Sequence, residues 1–154
     1  MRDEAPQRTH IVVESKRRVM RKRLAEFSER AHRAAKLKGE VSILLTDGEA
    51  VRELNRRYRK KNKATDVLSF PAPRSMQRMT AGDLAIAVDV ATLQAKRLGH
   101  SLTEEISILI LHGLLHLAGH DHEADHGEMA EIEAALRKRL GLPLSLTERA
   151  VVSA

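Results

Sequence analysis

The sequence predicts an α+β fold: a small mixed sheet of about four strands packed against about five helices, with a candidate metal site at the end of a buried central helix. Three observations carry that expectation. Short aliphatic or β-branched runs (HIVVE, VSILLT, DLAIAV) alternate with longer stretches of helical periodicity. One stretch, ISILILHGLLHLA, is apolar on every face and belongs in the middle of the domain. Glycine and proline punctuate the boundaries.

Residues 10–14 read as the first strand. Residues 16–38 read as an amphipathic helix with Met20, Leu24, Phe27, Ala31 and Ala34 on one face, stopped by Gly39. Residues 41–46 are a buried strand, and Asp47 is placed to cap a second helix carrying Val51, Leu54 and Tyr58. Arg59 to Thr65 is a polar loop. Val67 to Phe70 is a short strand ended by Pro71 and Pro73, with a surface loop onward through Thr80. Residues 83–88 form another strand, followed by a helix from Asp89 to Leu98 that Gly99 ends. Ser101 and Glu104 have the spacing of a capping box, opening the buried helix of about 14 residues that Gly119 closes. Residues 126–140 form a last helix carrying Met129, Ile132, Leu136 and Leu140, and the tail after Pro143 has no pattern. Residues 1–154 are expected to form a single domain, with 1–8 and 143–154 loosely held.

Composition narrows the function. Hydrophobic residues make up 42% of 154 positions, enough for a packed core. The absence of cysteine excludes disulfides and thiolate-bound metals. The N-terminal MRDEAPQRTH lacks the apolar stretch of a secretory signal, and no run approaches the roughly 18–20 apolar residues that span a bilayer. The expectation is a cytoplasmic protein that does not engage membranes. A net charge of +6 favours polyanionic partners such as RNA or DNA. Phe27, Tyr58 and Phe70 are the whole aromatic set, which argues against a stacking platform for single-stranded nucleic acid.

Five of the eight histidines fall within HGLLHLAGHDHEADH. His112 and His116, four apart on a helix, stack on one face within reach of one ion. Gly119 lets the chain turn back, so a third ligand can come from His120 or His122. A structural role explains a lone buried histidine well. It explains two in an otherwise apolar helix poorly, because each buried nitrogen left without a partner costs about 1–3 kcal/mol. Three neutral imidazoles would leave a zinc ion its full charge and an open fourth position, the pattern of catalytic sites. Such an ion can activate water or polarise a phosphoryl or carbonyl oxygen, and it suits an anionic substrate. Nickel and copper also suit imidazole. A peptidase of the His-Glu-x-x-His type requires glutamate directly after the first histidine, and that position is Gly113.

Seven basic residues lie between Arg52 and Lys63: Arg52, Arg56, Arg57, Arg59, Lys60, Lys61 and Lys63. Such a run is often only a solvated face. Here it leads directly into the strand TDVLSF, and arginine offers a planar fork suited to phosphate. Lys16, Arg17, Arg18, Arg21, Lys22 and Arg23 add general electrostatic attraction.

The segment HGLLHLAGHDH resembles the HGxLHLxGYDH signature of the YbeY family of bacterial metal-dependent endoribonucleases. ELNRRYRKKNKATDVLSFP and GDLAIA resemble two further hallmarks, and the likeness runs from about residue 40 to 140. His120 stands where the signature usually has tyrosine, and Lys60 where glycine is common. The resemblance implies an α+β fold with one metal ion in a cleft. It implies His112, His116 and His122 as ligands and Arg59 as a residue of the reaction; from the basic run itself, Arg56, Lys61 and Lys63 are the expected substrate contacts. It implies single-strand cleavage of ribosomal RNA, maturation of the small-subunit rRNA 3′ end and ribosome quality control. The small ribosomal subunit and an Era-type GTPase are the implied partners. Two other readings compete: a zinc peptidase or other zinc hydrolase, and a non-catalytic ribosome-assembly factor with a structural metal.

Overall fold

The computed structural model describes residues 6–60, 65–120, 126–146 and 148–149. Four strands and five α-helices occur among them, in the order β1 (Thr9–Val13), α1 (Arg21–Ala34), β2 (Glu40–Thr46), α2 (Gly48–Arg59), β3 (Val67–Pro71), β4 (Thr80–Ala87), α3 (Val88–Leu98), α4 (Leu102–Leu117) and α5 (Glu128–Arg139). The sheet order is β1-β2-β4-β3. β1, β2 and β4 run parallel, and β3 pairs antiparallel with β4 at the edge. The α+β expectation holds.

Alternation along the strands separates two faces. Ile11, Val41, Ile43, Leu45, Leu84 and Ile86 point into the main core, against Leu24 and Phe27 of α1 and Ile106, Leu109 and Ile110 of α4. On the other face α2 covers only part of the sheet, where Val51 packs with Leu68, Ala85 and Ala87. Helix α4 is the axis of the fold. Its capping box is formed: the Ser101 hydroxyl accepts from Glu104 N at 3.0 Å, and Glu104 Oε1 accepts from Ser101 N at 3.0 Å. Every residue from Glu105 to Leu115 is buried. None of the helices among the described residues is long and apolar enough to cross a membrane.

Several boundaries differ from expectation for tertiary reasons. Helix α1 starts at Arg21 rather than near 16, because Ser15 makes a turn of its own: its hydroxyl donates to Asp47 Oδ1 and accepts from Arg17 N. The helix ends four residues before 38, with Lys36 left-handed at φ 60°. Gly39 has a different task. A Cβ there would lie 2.5 Å from Gln77 O and 2.6 Å from Ala81 N, so the glycine lets two backbones pass closely. Asp47 occupies the N-cap position of α2 without capping it. Asp89 of α3 supplies the acceptor instead, taking Gly48 N at 2.7 Å. β4 begins at Thr80, three residues early, because Glu40 pairs with it.

Candidate active site

His112 and His116 lie one turn apart near the end of α4. Their rings meet edge-on, centroids 4.7 Å apart with planes at 72°. The two Nε2 atoms are 3.1 Å apart. The orientation of His112 is set from α5, where Glu133 Oε2 accepts from Nδ1 at 2.7 Å. His112 is 7% exposed and Glu133 0%, so this pair is closed to water. With the proton held on Nδ1, the His112 Nε2 lone pair turns toward His116.

That geometry fits a shared divalent ion. Two nitrogens bound at 2.0–2.1 Å to one tetrahedral ion lie about 3.3 Å apart. A buried carboxylate on the remote ring nitrogen is the usual partner of a metal-binding histidine, fixing its tautomer and raising its basicity. Imidazole donors without thiolate suit zinc, nickel or copper.

Sequence reasoning missed Glu133, although a signal existed. It sits four residues after Met129 and three before Leu136, on the buried stripe of α5. A carboxylate in an apolar stripe calls for a buried partner.

A cavity of about 240 Å³ brings the histidine pair together with Arg59. Gly113 lines the α4 wall; Thr65, Asp66, Val67 and Ser69 form the opposite wall, and Leu146 closes one side. Arg59 is the last residue of α2, and Lys60 turns the chain after it at φ 56°. Arg59 Nη2 lies 3.5 Å from the Ser69 carbonyl, a weak contact that leaves the fork available to a ligand. Asp66 braces the wall. Its Oδ1 accepts from Val67 N at 2.8 Å and its Oδ2 from Gln94 Nε2 at 3.2 Å.

Gly113 is a packing requirement as well as a cavity residue. A Cβ there would lie 2.7 Å from Leu84 Cδ2 and 2.9 Å from Cδ1. The place where a His-Glu-x-x-His peptidase keeps its base has no room for a side chain.

His120 lines a separate hollow with Lys36, Lys38, Arg74 and Arg78, and does not line the cavity of the histidine pair. His122, Lys61 and Lys63 lie outside the described residues. Among the described residues no group of three potential ligands is assembled. Arg56 does not line the cavity either. It borders a hollow with Asp47 and Arg52, and its Nε donates to Glu53 Oε2 at 3.0 Å.

The tail, patternless in the sequence, is tied down twice. Arg137 Nε and Nη2 donate to Glu148 at 2.8 and 2.9 Å, and Arg149 Nη1 donates to the buried Glu105 at 2.9 Å. The Arg137 bonds, with help from Ser145 N–H and hydroxyl, outweigh burial and pull the Glu148 carboxyl down to about 2. Leu146, two residues before the first of these anchors, lines the cavity.

Comparison with known proteins agrees with this architecture. The family model described as Endoribonuclease YbeY matches residues 4–141. A relative from Koribacter versatilis, named Endoribonuclease YbeY, is 53% identical over 139 residues, covering 85% of this chain and 90% of its own. One from Solibacter usitatus with the same name is 46% identical over 126 residues, covering 82% and 83%. The solution structure of a Thermotoga maritima protein superimposes with a TM-score of 0.61 at 25% identity, covering 86% of this chain and 88% of that one. The chain belongs to the YbeY endoribonuclease family.

Proposed function

We propose that this protein is a metal-dependent, single-strand-specific endoribonuclease of the cytoplasm. Its substrate is ribosomal RNA, and its tasks are maturation of the small-subunit rRNA 3′ end and ribosome quality control. The observation that carries the reading is a cavity lined by His112, His116 and Arg59 together. The names of the relatives support RNA as substrate. The small subunit and an Era-type GTPase are the partners this reading calls for.

In this reading His112, His116 and His122 hold one zinc ion, which when bound supplies Lewis-acid stabilisation of phosphoryl charge. The chain's own residues do the rest. Arg59 grips the non-bridging oxygens of the scissile phosphate, in the bidentate manner its planar fork permits. Glu133 keeps the His112 ring in one orientation and one tautomer. Asp66 holds the loop that forms the far wall. Lys61 and Lys63, just beyond Arg59 in sequence, extend the cationic contact along the backbone.

Metal analysis of purified protein, with calorimetry in the presence and absence of chelator, tests the centre independently of activity. About one equivalent of zinc is expected, with a chelator-induced fall in Tm that is absent in His116→Ala. Less than about half an equivalent of any transition metal, with no chelator effect, sinks the reading. Cleavage of unpaired rRNA fragments then separates nuclease from assembly factor, since His116→Ala should abolish it. Product ends identify the attacking group: a 2′,3′-cyclic phosphate means the RNA 2′-hydroxyl attacks rather than water.

A further inference from the structure

Three aromatic residues are too few for a repeated stacking platform, yet the fold sets two of them side by side. Tyr58, in the last turn of α2, and Phe70, on β3, make an edge-to-face pair with centroids 5.9 Å apart and planes at 73°. Tyr58 is 65% exposed. They border the part of the sheet face that α2 leaves open. Pairing register places His10, Ser42, Asp83 and Phe70 in one row across all four strands. A groove of about 500 Å³ runs over this face, with Val12, Leu44 and Leu54 joining Tyr58, Phe70 and Asp83 along it.

We propose that this groove holds an unpaired nucleobase of the RNA strand, stacked on Tyr58 and adjacent to the phosphate at Arg59. The inference rests on the RNA reading above. Connectivity links the two places. Tyr58 and Arg59 are consecutive at the end of α2, and Ser69 and Phe70 are consecutive on the edge strand. Strand alternation sends Ser69 to the cavity of the histidine pair and Phe70 to the groove, so the two sites lie on opposite sides of β3. A flexible single strand can bend around that edge. A duplex cannot without unstacking a base, which gives the preference for unpaired RNA a physical origin.

Charge decides which part of the nucleotide enters. The groove is lined by apolar and aromatic groups, and its acidic member Asp83 is exposed. A carboxylate repels phosphate and accepts hydrogen bonds from base N–H groups, so the base goes in and the backbone stays out. Cations stand at the rim: Arg57 Cζ lies 5.8 Å from the Tyr58 ring centroid, and Arg59 and Lys60 follow. The combination of an aromatic face with flanking cations is how single strands are held without sequence preference.

Full-length, metal-loaded protein titrated with short single-stranded RNAs carrying 2-aminopurine at successive positions tests this. Quenching at one position is expected with the native protein and with Tyr58→Phe, and not with Tyr58→Ala. Because stacking holds substrate and transition state alike, Tyr58→Ala should raise KM roughly 5- to 100-fold with kcat nearly unchanged. Tyr58→Leu, which keeps apolar bulk and removes the ring, should behave like the alanine variant and guards against a folding defect. An abasic nucleotide at the quenched position should cost the native protein the same factor and cost Tyr58→Ala nothing more. Unchanged KM in both ring-less variants overturns the base site and leaves the nuclease reading standing. A native protein that neither binds nor cleaves RNA overturns both. A native dimer that Tyr58→Ala dissolves, with RNA cleavage unchanged, makes the groove a contact between copies and also overturns the proposal.

Discussion

Glu133 Oε2 accepts the Nδ1 proton of His112 at 2.7 Å, and the two side chains shield each other from water between α4 and α5. The contact joins a core helix to the last helix and leaves one nitrogen of His112 facing His116. Glu133→Gln keeps the shape but weakens the acceptor. It should lower metal affinity roughly 10- to 100-fold, as loss of such outer partners does. Competition against a chromophoric chelator measures it, and unchanged affinity would show the contact to be structural only.

Arg59 is exposed at a helix end and weakly held by the Ser69 carbonyl, so removing it should not disturb the fold. Arg59→Ala is expected to cost roughly 10²–10³ in the cleavage rate, the scale of a lost charge-stabilising donor in a reaction. Arg59→Lys should recover only part of this, because an ammonium cannot make the bidentate contact. Single-turnover kinetics with unchanged circular dichroism is the measurement.

Gly113 faces Leu84 at a distance that leaves no space for a methyl group. Gly113→Ala should destabilise by about 1–3 kcal/mol through overpacking and tilt the turn that carries His112 and His116. Leu84→Ala alone should cost about 2–5 kcal/mol. The double variant should be more stable than the sum of the two predicts, since one change makes the space the other needs. Urea denaturation of the four proteins closes the cycle.

The Glu148 carboxyl sits near 2 in the folded protein, below its ordinary 4.5. A depressed carboxylate adds stability that is complete above its unfolded value and is lost as pH falls toward its folded one. The tail anchor should therefore weaken between pH 4.5 and about 2. Native protein should lose more urea resistance between pH 5 and pH 3 than Glu148→Gln does. With the Arg137 anchor lost, tryptic cleavage of the tail should accelerate in the variant at pH 7.

What the sequence reveals is what neighbours along the chain determine. The capping box of Ser101 and Glu104, the all-apolar run of α4 and the four-residue spacing of His112 and His116 depend on local geometry, and the structure reproduces them. What it hides depends on which elements meet. Asp89 caps a helix that starts 41 positions earlier, and Glu133 reaches a histidine 21 positions back. Arg59 and Ser69 come together only because β3 turns antiparallel at the sheet edge. Leu146 becomes a cavity wall through two ion pairs that no periodicity announces. Counting aromatics missed the Tyr58–Phe70 pair for the same reason.

The burial of α4 has a consequence in time. Amides in the most buried helix of a small fold exchange with solvent only when the whole molecule opens. His112 and His116 are part of that slowest unit, so their spacing persists for as long as the native state does. Arg59 and Tyr58, at an exposed helix end, belong to a faster regime. The cavity thus joins one wall that keeps its shape for the lifetime of the fold to another that can adjust each time a strand arrives.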